Sequence, residues 1–429
     1  MNATASGKDI WSRRLLIGLY RAARCLSLLS CRLDVERNHI ELKAPRQQCN
    51  RLLTIIWRSI LVNIYWTIIP DVFLRARKTE SYADVFAMLQ SASVILFAVG
   101  SFIVQVCAES RFIVILNRYI ALYGRICALT QSPELFPLKF SVFYALKLLL
   151  TIGGCLYELP QLLPMRHILH GDVGHILTGI IGIYMWMGTL FMLDACFLGF
   201  LVSGVFYEQM GAHIGAMLLG MRSIDLMDDE TSQTKSLPQR YSHYRRMCLL
   251  CDRADELEAC GSIYSELYQV TLSFRSIFQF QIFFYIYYNF IVLLLMLYEY
   301  IWNYLDDGHE ATDLVPFIMV AIKLGNIVLL IMCADYTIKK SQLPQMMPLD
   351  IVCTDIDQRW DNSVDMFLSQ LQTQQLEIKV MGILQLNNEF IPTILSAIIT
   401  YLFILIQFGF TGGFDVVEEI AKRNLSARN

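Results

Sequence analysis

Gln407 places a carboxamide in an apolar run, Thr400-Tyr401-Leu402-Phe403-Ile404-Leu405-Ile406-Gln407-Phe408. An amide in hydrocarbon costs free energy unless something polar meets it, so this side chain must face protein or water. The same rule applies to Lys323, Glu158 and Asp194, which also lie in apolar segments. Glu158 and Asp194 are the available counter-ions for Lys323; such a pair either borders a polar ligand cavity or fixes helix register. Lys147 and Arg58 stand nearer the segment ends, where long side chains can reach the headgroups, and are expected to have no role. Aromatic rings are dense at Phe278, Phe280, Phe283, Phe284, Tyr285, Tyr287, Tyr288 and Phe290, with Tyr157 and Trp186 in other segments. Rings with one polar handle suit a moderately hydrophobic organic ligand, so Tyr157, Trp186, Phe284, Tyr287 and Tyr288 join the charged residues as candidate pocket positions.

Other reactive side chains point away from catalysis. Cys248-x-x-Cys251, with Cys260 further on, is half a zinc site with no second half at the required spacing, so these are expected to be free thiols. His167, His170 and His175 beside Asp172 read as a solvated loop, and Asp306, Asp307, Glu310 and Asp313 as an acidic one that raises local cation concentration. There is no Gly-rich phosphate loop, nucleophile motif or metal-spaced carboxylate pair. An enzyme, a cofactor and a nucleic-acid partner are therefore not expected.

The elements that position these residues are membrane helices. The chain of 429 residues is 55% hydrophobic and 17% charged, with a mean hydropathy of +0.46, whereas soluble domains carry about 25% charged residues. A hydrocarbon layer of about 30 Å takes about 20 helical residues. Seven runs qualify: 52–74, 85–107, 141–163, 176–206, 274–299, 314–338 and 390–410. Lys and Arg number 24 in residues 1–51, 108–140, 207–273 and 339–389, against seven in the alternate connections and the tail. That asymmetry predicts a cytosolic amino terminus and an extracellular carboxyl terminus. It disfavours a G-protein-coupled receptor, as does the lack of an Asp-Arg-Tyr triplet or an Asn-Pro-x-x-Tyr sequence. The long fourth and fifth runs are expected to continue into the cytosol as helical extensions around an acidic turn at 228–238. Residues 360–384 are expected to add a further helix with an apolar stripe at Val364, Phe367, Leu368, Leu371, Leu376, Ile378, Met381 and Leu384. No internal repeat supports a secondary transporter.

The closing Thr400-Tyr401, five hydrophobic residues and Gln407-Phe408 resemble the signature of the insect gustatory receptor family without a departure. The preceding Gly382-Ile383-Leu384-Gln385-Leu386-Asn387-Asn388-Glu389-Phe390 is similar to that family's approach to its last helix. The resemblance implies an all-α membrane protein acting as a ligand-gated cation channel. It implies a tetramer of this chain alone or with other gustatory subunits, in the plasma membrane of sensory neurons, with no G protein required. Residues 1–51 would form a cytosolic segment, 52–338 a six-helix peripheral bundle, 339–389 a linker and anchor helix, 390–410 the pore helix and 411–429 a short outer tail. In such a tetramer four copies of Gln407 would ring the pore and four of Phe408 would constrict it, with Thr400 and Tyr401 as packing anchors. The aromatic positions would line a tastant pocket, and their density favours bitter compounds over sugars. An odorant receptor of the same architecture is the alternative.

Overall fold

Helix length decides this architecture. The computed structural model describes residues 18, 21, 32–34, 39–41, 52–57, 59–61, 63, 82–131, 136–162, 173–231, 239–306, 315–343 and 357–410. For parts of these helices, including 82–95, 157–162, 173–183, 221–231 and 408–410, it describes the backbone alone. In chain order the helices are α1 (Leu52–Leu61), α2 (Tyr82–Thr130), α3 (Leu138–Leu162), α4 (Val173–Thr231), α5 (Gln239–Asp306), α6 (Val315–Ser341), α7 (Gln358–Thr373) and α8 (Phe390–Phe410). Among the described residues, six of them (α2 to α6 and α8) are long and apolar enough to cross a membrane; α1 is shorter. Two small antiparallel hairpins complete the fold, β1 (Arg32–Asp34) with β2 (His39–Glu41) and β3 (Lys379–Val380) with β4 (Leu384–Gln385).

The 59 residues of α4 and 68 of α5 extend about 90 and 100 Å at about 1.5 Å per residue, roughly three bilayer cores. Only part of each can sit in lipid, and the rest must bury its apolar face against other helices. Glycines permit the close approach inside the bundle. A Cβ on Gly199 of α4 would lie 2.1 Å from Cζ of Phe274 on α5, and one on Gly204 would lie 2.5 Å from Cε1 of Tyr336 on α6. A hydroxyl cluster ties the same layer together, with Tyr119 of α2 and Ser203 of α4 2.7 Å apart and Thr271 of α5 3.3 Å from Ser203.

Where α4 stops and α5 starts, α7 packs along the first third of α5. Asp357 caps α7 by accepting from the Arg359 amide at 2.9 Å. Trp360, Val364, Phe367 and Leu371 form its buried stripe at helical spacing. Around that stripe Arg359 pairs with Asp255, Ser363 donates to Glu258 at 3.0 Å, and Gln370 donates to the Gly261 carbonyl at 2.9 Å. Tyr264 of α5 donates to the carbonyls of Ser341 and Gln374 at 3.1 and 3.2 Å, gathering the ends of α6 and α7 at one point.

The helix expected over 360–384 is shorter than its apolar stripe suggested. It stops at Thr373, and Leu376, Ile378 and Val380 are then buried alternately with exposed Gln375, Glu377 and Lys379. That is the two-residue period of extended chain, which a sparse stripe imitates over a few residues. The β3–β4 turn carries positive φ at Met381 and Gly382, 52° and 71°, and Ile383 donates to the Val380 carbonyl at 3.1 Å. These are the features of a type I′ hairpin turn, for which glycine at the second position is suited.

The close α4–α5 approach predicts that Gly199→Leu costs about 1–3 kcal/mol by overpacking and lowers the melting temperature of detergent-solubilised protein followed by fluorescence-detected size exclusion. Gly220, with nothing within 4 Å of its would-be Cβ, should accept leucine without that loss.

Candidate functional site

The polar residues of α8 share one side of an otherwise apolar helix. Ile394 and Ile398 are buried, whereas Ser396, Thr400, Phe403 and Gln407 are exposed. At about 100° per residue those four lie opposite the two isoleucines. The Thr400 hydroxyl donates to the Ser396 carbonyl one turn back at 2.8 Å, which satisfies it locally. Tyr401 stands at right angles to Phe290 of α5, ring centroids 6.0 Å apart, so it is the motif residue that packs against the bundle. Gln407 falls in the last turn of the apolar segment. The side chain of Phe408 lies outside the described residues.

The pocket candidates divide into two groups. Lys323 of α6 and Tyr288 of α5 are both buried, with the ammonium 5.6 Å from the ring centroid, a cation–π arrangement. Phe284, one helical turn from Tyr288, stacks obliquely on Phe280 at 4.4 Å. Tyr287 is exposed. Tyr157, Glu158 and Trp186 occupy α3 and α4, but their side chains lie outside the described residues, as do Arg58 and the histidine loop at 167–170.

Asp194 belongs elsewhere. Its carboxylate pairs with Lys147 of α3 at 3.0 Å, and both side chains are almost wholly buried. Lys147 also donates to Asn326 of α6 at 2.6 Å and to Thr151 at 3.3 Å, while the Thr151 hydroxyl donates to Asp194 at 2.9 Å. The expectation that Lys147 reaches the headgroups, and that Asp194 serves Lys323, therefore fails. With a carboxylate and two oxygen acceptors within reach inside the α3–α4–α6 packing, burial with partners replaces extension to water. Thr151 and Asn326 were not singled out from the sequence. Their signals were present as Lys147-x-x-x-Thr151 on one face of α3 and as a second polar residue one turn beyond Lys323 on α6.

Cys251 donates its thiol to Asp357 at 3.2 Å, and it and Cys248 are free thiols. Among the described residues no group of three or more His, Cys, Asp or Glu side chains is placed to hold a metal ion.

The family model for 7tm chemosensory receptors matches residues 16–412. The chain is 53% identical over 424 residues to the Drosophila melanogaster gustatory receptor for bitter taste 93a, covering 98% of both chains. It is 24% identical to the putative gustatory receptor 93b of the same fly, over 77% of this chain and 78% of that one. Among solved structures, the olfactory receptor OR5 of the insect Machilis hrabei superposes with a TM-score of 0.60 at 12% identity, covering 91% of this chain and 99% of the other. Its complex with eugenol gives a TM-score of 0.55 at 13% identity over the same shares. These receptors are not enzymes, and the last helix, the long helical extensions and the family match agree: the chain belongs to the 7tm chemosensory receptors, among the insect gustatory receptors.

Proposed function

We propose that the chain is a subunit of a tetrameric cation channel in the plasma membrane of sensory neurons, opened from outside by a bitter small molecule. The observation that supports this reading is that, among the described residues, the side of α8 bearing Ser396, Thr400, Phe403 and Gln407 is exposed and lies opposite the buried Ile394 and Ile398. Four such helices around a water-filled path would give these exposed positions an aqueous face. Gln407 then presents a ring of amide oxygens to passing cations, and Phe408 supplies the constriction that closes when dry. Thr400 and Tyr401 hold the helix in register.

The charge asymmetry of the connections puts the α4–α5 extensions and α7 in the cytosol and the tail after residue 410 outside. Residues 52–338 then form the peripheral bundle, residues 339–389 the linker and anchor, and residues 390–410 the pore helix. The ligand site is assigned to the outer half of the bundle near Tyr288, Lys323 and Phe284, where an ammonium beside rings suits an aromatic compound with an acceptor group. Tyr157, Glu158 and Trp186 border the same region of α3 and α4 by sequence position, and Tyr287 sits at its edge. The Lys147–Asp194 pair locks helix register rather than binding solute, since each charge already has its partner. The likeness to a receptor for bitter taste supports a bitter ligand, and the tetramer is formed of this chain alone or with other gustatory subunits.

Two outcomes test this in cells recorded by patch clamp. Gln407→Ala should change the sodium-to-potassium permeability ratio of the tastant-evoked current while leaving its half-maximal concentration unchanged; solute uptake without any channel current contradicts the reading. Tyr288→Ala or Lys323→Met should do the reverse, raising the half-maximal concentration by about tenfold, equivalent to about 1.4 kcal/mol of binding, with ion selectivity unaltered.

A further inference from the structure

Two attachments of different kinds sit nine residues apart on α6. At Asn326 the side-chain oxygen receives Lys147, which joins α6 to α3 and, through Asp194, to α4. Lys323, one turn away, lies over Tyr288 of α5. At the other attachment Asp335 is buried, and its Oδ1 accepts the backbone N–H of Asn388 at 3.3 Å. Asn388 belongs to the turn that opens α8, where the Phe390 and Ile391 amides donate to the carbonyls of Asn387 and Asn388 at 3.0 and 3.3 Å. The amides that open a helix have no helical acceptor and carry the positive end of its dipole. The buried Asp335 carboxylate accepts the amide of the turn just before them.

The segment between these attachments cannot bend cheaply. Ile327, Leu330, Ile331 and Ala334 are buried along it, so displacement at Asn326 moves Asp335, about 14 Å along the axis, as one body. The second oxygen of Asp335 lies 2.7 Å from Lys339, whose side chain is 62% exposed. That pair, with its lysine end in solvent and both residues on α6, ties α6 to no other element. The link from Asp335 to α8 therefore rests on the part-buried bond to Asn388.

We propose that Asp335 is the positioning residue that couples ligand-driven movement of α6 to the base of α8. This rests on the channel reading above. α6 acts as a strut whose upper part senses the pocket through Lys323 and Asn326, while its lower part pulls on the pore helix through the Asp335–Asn388 bond.

The test uses full-length receptor, patch-clamp recording at matched surface expression, and a fixed panel of quinine, denatonium and eugenol. Asp335→Ala should cut the maximal evoked current about tenfold, and Asp335→Asn, which keeps an acceptor oxygen, should cut it less. Lys339→Ala should leave it unchanged. Purified Asp335→Ala and Asp335→Asn proteins should keep the ligand-induced rise in melting temperature, showing intact binding, and should exchange the amides of residues 386–393 faster than wild type. A merely structural role would lower that ligand-induced stabilisation as well. Variants with a wild-type concentration–response curve, or with unchanged exchange at 386–393, overturn the coupling proposal and leave the channel reading intact. A wild-type chain on the cell surface that passes no current with any compound of the panel overturns the channel reading and the coupling with it.

Discussion

The bundle leans on α5, and α5 can bear it because five other helices pack against it. It touches α2, α4, α6, α7 and α8 along about 100 Å. Its buried positions, from Ala254 through Tyr264 and Phe274 to Leu293, recur at helical spacing along its length. Phe274 alone meets Gly199, Phe112, Tyr119, Phe200 and Phe278. A continuous spine of this kind makes the bundle and the α7 region one body, so a shift near the pocket is not absorbed by a soft joint.

The buried polar groups follow from the solvent. Inside lipid a charge or hydroxyl is costly without a partner, and two clusters of this chain supply partners by joining helices to one another. Lys147, Asp194, Thr151 and Asn326 join three helices, and Tyr119, Ser203 and Thr271 join another three. α8 differs from both clusters. It buries only Ile394 and Ile398 fully and keeps its polar stripe on the uncovered side. Among the described residues that side of α8 stays exposed, which supports a path along it.

Much of this was legible before any coordinates. The last helix spans Phe390–Phe410, the residues its hydropathy marked, because no charge interrupts the run and Glu389 and the polar turn before it set a sharp start. Hydropathy marks the second apolar run at 85–107, yet α2 continues to Thr130, because polar residues that end a membrane segment need not end a helix. The over-long helix at 360–384 failed for a related reason: periods of two and 3.6 coincide over a few residues. At the site, residue types were legible but pairings were not. Lys147 looked like a surface-seeking lysine because sequence position gives depth, whereas its partner depends on which helices are neighbours. Asp335 gave no signal at all, since a carboxylate near two lysines at a helix end reads as ordinary solvated charge until its contact with Asn388 is seen.

The central claim is that one side of α8 borders the conduction path, and cysteine accessibility along that helix tests it most directly. With single cysteines introduced in turn and a hydrophilic thiol reagent applied during tastant-evoked current, block should appear at Ser396, Thr400, Phe403 and Gln407 and be missing at Ile394 and Ile398. Block at the two isoleucines, or an absence of block along the whole stripe in channels that still open, would contradict the account.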